Sequence, residues 1–282
     1  MSGRTADPQS LPCALTVASS DSGGGAGIQA DLKTMARFGV YGASVLVSTT
    51  AQNTTGVRDV HVLPTDHVRA QFDAVTEDGD VGAVKTGMLA TAEGVRTVAS
   101  CLDDYDGPVV VDPVMVATSG DRLLEREAVE AYTDLLGHAA LVTPNADETE
   151  ELTGEWPDSA AARERAATQF FEWGADAVLF KGGHVECGVS GESDGDDGGG
   201  VVRDHLVTPD DEWTFEGPRV EGASTHGSGC TLSSAIAAGL ARGDPLERAV
   251  ERGIAFVRAA IERPAAVGER GSVNHLVGGD WR

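Results

Sequence analysis

Short apolar runs alternate along this chain with longer segments in which apolar residues recur at helical spacing. The runs at 14–18, 43–49, 81–85, 108–112, 140–143 and 177–181 predict strands. Several are apolar on successive residues rather than on alternate ones, as expected of strands covered on both faces. Helices are predicted at 26–38, 65–75, 93–102, 125–136, 159–173, 230–242 and 246–261. In the first of them Ile28, Leu32 and Met35 share one face. This β-α alternation implies a mainly parallel, doubly wound sheet in one domain. Ligands of such sheets sit beyond the carboxyl ends of the strands, and that is where candidate chemistry is sought.

Length and composition agree with a single core: 282 residues, 41% of them hydrophobic. Residues 1–12 read as a frayed lead-in and 13–282 as the domain. No apolar stretch reaches the length of a membrane span, and the N-terminus has no secretory h-region, so a cytoplasmic protein is expected. The segment 186–200 is rich in glycine and acid and reads as a mobile surface loop between two strands.

Charge changes the picture. The net charge is −24, from 45 acidic and 21 basic residues spread over most of the chain. Such a surface repels nucleic acid and anionic lipid and suits a protein kept soluble in concentrated salt. Only three of the basic residues are lysines, Lys33, Lys85 and Lys181, and each falls inside a motif. The four cysteines, Cys13, Cys101, Cys187 and Cys230, show neither CxxC pairing nor metal-ligand spacing. Cys13 and Cys101 read as core residues.

Four groups of residues could carry chemistry. Ser19 to Thr34, S-S-D-S-G-G-G-A-G-I-Q-A-D-L-K-T, runs from a strand into a helix. It is neither a P-loop nor a dinucleotide fingerprint, and a ligand loop and a plain tight turn both satisfy it. Thr225 to Ser234, T-H-G-S-G-C-T-L-S-S, places Gly227, Ser228 and Gly229 before a small-residue helix. Free N–H groups there form an anion cradle. Cys230 stands in the first turn, where the helix dipole favours the thiolate and a base role; a small residue chosen for close packing is the alternative. Asp112 ends a buried strand, and Asn145 and Glu148 lie three apart at a helix start. These carboxylates could hold Mg²⁺, or Asn145 and Glu148 could simply cap their helix. Lys181, ending a strand before two glycines, could neutralise phosphate charge.

In chain order, G-G-A-G-I-Q-A-D-L-K-T, A-Q-N-T-x-G-V at 51–57, K-x-G-M at 85–88 and D-P-V-M at 112–115 with S-G-D after it are followed by T-P-N, K-G-G-H, H-G-S-G-C-T-L-S and V-N-H-L. Together they resemble the hydroxymethylpyrimidine/phosphomethylpyrimidine kinases over roughly residues 14–276. The resemblance implies a ribokinase-like, three-layer α/β/α fold with a central, mainly parallel sheet. It implies ATP and Mg²⁺ as cofactors, a small pyrimidine alcohol and its phosphate as substrates, and leaves a homodimer open. Carried over by position, Asp31 and Gln52 would hydrogen-bond the pyrimidine and Met88 would pack on its ring. Gly227, Ser228 and Gly229 would form the anion hole and Cys230 would be the base. Lys181, Asn145 and Thr225 would meet ATP, and Asp112 and Glu148, with Asn145, would position the metal. Pyridoxal kinases share the fold but usually carry aspartate at the Cys230 position. A pyrimidine sensor without activity is the rival of another class, and it predicts loss of the hole or the base; both are kept here. Many archaeal relatives carry an additional synthase domain, which this sequence does not include.

Overall fold

The computed structural model describes residues 9–115, 126–184, 200–220 and 224–281. Its main sheet begins with strand β1 (Cys13–Ala18), followed by helix α1 (Gly27–Arg37) and β2 (Tyr41–Leu46). Next come β3 (Ser48–Asn53), β4 (Gly56–Val62), α2 (Thr65–Thr76), β5 (Ala83–Thr86), α3 (Ala92–Leu102) and β6 (Val109–Val111). The chain continues with α4 (Arg126–Leu136), β7 (Leu141–Val142), α5 (Ala146–Thr153), α6 (Ala160–Glu172) and β8 (Val178–Phe180). It closes with β9 (Val201–Val207), β10 (Glu212–Pro218), α7 (Ser228–Ala241) and α8 (Leu246–Glu262).

The eight-stranded sheet has the order β10-β9-β8-β7-β6-β5-β1-β2. From β2 to β8 every pairing is parallel, and β9 and β10 add an antiparallel edge. Strands β5, β6, β7 and β8 are buried at every residue, the signature of cover on both faces. Alternate strand residues point to opposite layers. Leu15, Val17, Val84, Val109, Val111 and Val142 pack against α2, α3, α4 and α6. Ala83, Val110, Leu141 and Leu179 pack against α7 and α8, and α1 joins that second layer through Met35 and Phe38. The expected three-layer ribokinase-like arrangement is present, with β2 on one flank of β1 and β5 on the other. That reversal of strand order places a crevice at the carboxyl ends of β1 and β5.

The run at 43–49 is not one strand. The chain leaves the main sheet after Leu46 and turns into a separate antiparallel hairpin, β3-β4. Thr50 Oγ1 donates to the Ser20 carbonyl at 2.8 Å, and Ser22 Oγ donates to the Gln52 carbonyl at 2.7 Å. These bonds hold the hairpin against the first glycine-rich loop. Strands β9 and β10 were not singled out by pattern: β9 exposes Val201 and buries Asp204 among its apolar residues, and β10 alternates exposed Glu212, Thr214 and Glu216 with half-buried Trp213 and Phe215. The segment expected as a mobile loop at 186–200, Cys187 and the S-G-D tripeptide at 119–121 lie outside the described residues, Gly200 excepted. Among the described residues no helix is long and apolar enough to cross a membrane.

Candidate active site

Five of the parallel strands deliver site residues to the same rim as they end. β1 runs into Ser19, Ser20 and Asp21, β5 into Met88, β6 into Asp112, β7 into Thr143 and Asn145, and β8 into Lys181. Between this rim, the hairpin and the start of α7 lies a cavity of about 1450 Å³. Gln52, Met88, Asp112, Asn145, Glu148, Lys181, Thr225, Gly227, Ser228, Gly229 and Cys230 all line it. Of the residues expected at the site, only Asp31 does not.

The cradle is shaped by backbone. Gly227 caps α7 with φ 83°, a left-handed conformation that favours glycine. A Cβ at Gly227 would lie 1.8 Å from the Gly25 carbonyl oxygen, so the two glycine-rich loops touch there. Asp21 fixes the first loop by accepting from the N–H groups of Gly23 (2.8 Å), Gly25 (2.9 Å) and Ala26 (2.8 Å). His226 Nε2 lies 3.4 Å from the same carboxylate and ties the second loop to the first. Although burial works against its charge, His226 and these backbone donors hold the Asp21 carboxyl below its ordinary value. Thr231 Oγ1 donates to the Gly227 carbonyl at 2.7 Å, and His275 Nε2 stands 3.1 Å from that hydroxyl. Asp21, His226, Thr231 and His275 were given no role from sequence; the first three stood inside quoted motifs and His275 inside V-N-H-L.

Beside the cradle, Lys181 Nζ lies 3.0 Å from Asp112 Oδ1 and 3.6 Å from Glu148 Oε2. A Cβ at Gly229 would sit 3.4 Å from Lys181 Nζ, ordinary van der Waals contact, so the first turn of α7 packs directly beside this cation. Thr143 Oγ1 also donates to Asp112, at 3.3 Å. Burial pushes the Glu148 carboxyl up to about 7, with Lys181 pulling the other way. Burial opposes the Lys181 charge, yet Asp112 and Glu148 hold its ammonium above the ordinary range. The capping alternative for Asn145 and Glu148 is realised: Glu148 N donates to Asn145 Oδ1 and Asn145 N to Glu148 Oε2, each at 2.8 Å. Capping occupies one face of each side chain, and both residues still reach the cavity.

Two expectations are corrected. Asp31 is fully buried beneath the cavity and not in its wall. Its carboxylate accepts from Thr16 Oγ1 at 2.6 Å, from Lys85 Nζ at 2.9 Å on both oxygens, and from Ser234 Oγ. With four donors in place it has no lone pair directed at a ligand. The thiolate expected of Cys230 is also not its resting form. Burial pushes the thiol up to about 11, while the Lys85 ammonium and a hydrogen bond from the Gly27 backbone pull it back. The dipole of α7 does not outweigh that desolvation.

The far end of the cavity is apolar. Leu232, Ile254, Val257 and Ile261 line it, bordered by Asp204 and Arg258. Arg258 is anchored to the Glu216 carbonyl at 2.7 Å and to Asp204 Oδ2 at 3.5 Å. These residues were also missed; on α8 they repeat at helical spacing and look like any core face.

This architecture is shared with solved vitamin kinases. Pyridoxal kinase from Staphylococcus aureus in complex with ADP superposes with a TM-score of 0.83 at 32% identity, covering 95% of each chain. Phosphomethylpyrimidine kinase from Clostridium difficile superposes with a TM-score of 0.74 at 38% identity, covering 88% of this chain and 99% of the other. The fold and the rim of phosphate-ready groups thus define a ribokinase-like small-molecule kinase. The chain belongs to the phosphomethylpyrimidine kinase family, whose sequence pattern matches residues 21–274. Hydroxymethylpyrimidine/phosphomethylpyrimidine kinase of Streptomyces coelicolor is 46% identical over 255 residues, 90% of either chain.

Proposed function

We propose that this protein transfers the γ-phosphoryl group of ATP to 4-amino-5-hydroxymethyl-2-methylpyrimidine, then phosphorylates the monophosphate to the pyrophosphate, in thiamine biosynthesis. One observation carries the reading. The α7 cradle, Cys230 in its first turn and the Lys181–Asp112 pair face a single cavity that also contains Gln52 and Met88. Its volume of about 1450 Å³ leaves room for a nucleotide beside a small ring.

In this reading the apolar end, Leu232 to Ile261, takes the adenine, and the triphosphate runs along Lys181, Asn145 and Thr225 to the N–H groups of Gly227 and Gly229 and, in exchange for its 3.0 Å bond to the Thr225 carbonyl, that of Ser228. Gln52 offers its amide to the pyrimidine and Met88 packs against the ring. In the first step Cys230 releases its thiol proton to solvent, the alcohol oxygen bonds to the γ-phosphorus as the bond to the bridging oxygen of ADP breaks, and the hydroxyl proton passes to the thiolate sulfur so formed. The cradle N–H groups and Lys181 neutralise the charge of the migrating group. Asp112 and Glu148, two carboxylates on one lysine beside an open cavity, suit a hydrated Mg²⁺ arriving with phosphates rather than a caged ion. Bound there, the metal would neutralise phosphate charge.

The test is ATP-dependent conversion of the hydroxymethylpyrimidine in molar KCl, a salt chosen for the −24 charge, with both products followed. Cys230→Ala should slow the first phosphorylation about 10²-fold or more. It should leave the second, whose acceptor is already an anionic oxygen, within about tenfold of wild type. Equal losses in both steps would remove the base role. Pyridoxal is the second reading, favoured by superposition on a pyridoxal kinase at a TM-score of 0.83. Side-by-side kcat/KM values for the two alcohols decide between them.

A further inference from the structure

The proposed chemistry makes no use of Lys85, yet Lys85 and Asp31 form an ion pair with both side chains at 0% exposure. Removing two charges from water costs several kcal/mol per ion, and apolar residues of similar volume would fill the same space. Stability alone therefore does not explain the pair. Its location does bear on the site. Lys85 lies on β5 opposite Thr16 of β1, and Asp31 projects from α1. Ser234, one helical turn beyond Cys230, places its hydroxyl within reach of Asp31 Oδ1 and 2.6 Å from the Cys230 carbonyl. The first turn of α7 is thus fastened to the pair.

The chain beside the ammonium is shaped to admit it. A Cβ at Gly87 would meet Lys85 Nζ at 2.8 Å and Ala18 Cβ at 3.1 Å. The charged groups facing the Cys230 thiol are Lys85 from β5, Asp31 from α1, Asp112 beyond β6 and Lys181 beyond β8, with the Gly27 N–H at the start of α1. The cations and anions balance, so a thiolate adds a negative charge that this surround must tolerate.

We propose that Lys85 is a positioning residue for Cys230: paired with Asp31 and linked through Ser234, it fixes the first turn of α7 and supplies the buried positive charge that the proton-accepting sulfur requires. This rests on the base role of Cys230. It also gives Asp31 a function beneath the site in place of a contact within it. Although burial works against its charge, Asp31 holds the Lys85 ammonium above its ordinary range, so the cation persists across the working pH.

The test is alkylation of the full-length protein with iodoacetamide across pH, the label at Cys230 being quantified by peptide mass spectrometry. Lys85→Met leaves an anion beneath the thiol and should move the labelling profile up by about one to three pH units. Asp31→Asn leaves an unopposed cation and should move it down by a similar amount. The double variant should fall between them. Lys85→Met should also cut the first phosphorylation at least about tenfold more than the second; a merely structural lesion lowers both alike and shifts no profile in opposite senses. Folded single variants with wild-type profiles, or profiles displaced in the same direction, overturn the assignment. Where Lys85→Met does not melt cooperatively, Asp31→Asn against wild type decides: a lower profile supports the proposal and an unmoved or higher one overturns it. The labelling uses no substrate, so its outcome is read separately from whether the wild-type protein turns over the pyrimidine.

Discussion

Lys85 and Lys181 each hold a carboxylate at nearly the same distance, 2.9 Å to Asp31 and 3.0 Å to Asp112, and both carboxylates are buried. The surroundings differ. Lys85 is sealed, with its partner's oxygens fully subscribed. Lys181 is 15% exposed, shares itself between two carboxylates and borders an open cavity. Identical chemistry thus serves two ends. A closed pair can only fix position and potential, whereas an open one can exchange its contacts for those of an incoming polyanion.

The comparison breaks most visibly in stability. Lys85→Met strands a buried carboxylate and should cost about 3–5 kcal/mol in a denaturation experiment, with partial recovery in Lys85→Met/Asp31→Leu. Next comes the open pair. Asp112→Asn or Lys181→Met should lower kcat about 10²–10³-fold while shifting the melting temperature by no more than about 4 °C.

Helix α7 carries contacts to both pairs, and its other flank rests on His275. Burial, with Lys33 and His226 assisting, lowers that imidazole to about 4 from an ordinary 6.5. The folded protein therefore declines a proton that the unfolded chain accepts, so this stability is complete above pH 6.5 and drains as pH falls through about 4. His275→Gln should flatten the acid limb of the melting-temperature profile and leave the neutral limb in place. The smallest expected effect concerns salt. Molar KCl should raise the melting temperature by screening the −24 surface. It should leave the Lys85→Met deficit unchanged to within about 0.5 kcal/mol, because a dry pair is screened little.

Much of this was legible beforehand. Strands apolar on successive residues announced a sheet with two covered faces, and polar residues at their ends marked the rim. What stayed hidden was direction and context. Asp31 shares a helix face with Ile28 and Met35, both buried, and that spacing pointed inward before any ligand role was assigned to it. The run at 43–49 shows no composition break where the chain changes sheets, since Val47 and Ser48 are buried on either side of the turn. The Cys230 expectation weighed a local dipole and could not weigh the enclosure supplied by residues distant in sequence. The aliphatic end of the cavity was invisible because Ile254 and Val257 obey the same periodicity whether they face a ring or a core.

One property of α7 reaches beyond catalysis. All nine residues from Thr231 to Gly239 are buried, and α8 approaches so closely that a Cβ at Gly239 would come within 2.9 Å of Ala249. Such a rod has no private way to fray, so the amide hydrogens of Thr231 to Gly239 should exchange only when the whole domain opens. The stiffness of the phosphate grip is then inherited from the entire molecule, and selection for a softer or broader grip would have to rework the centre of the protein first.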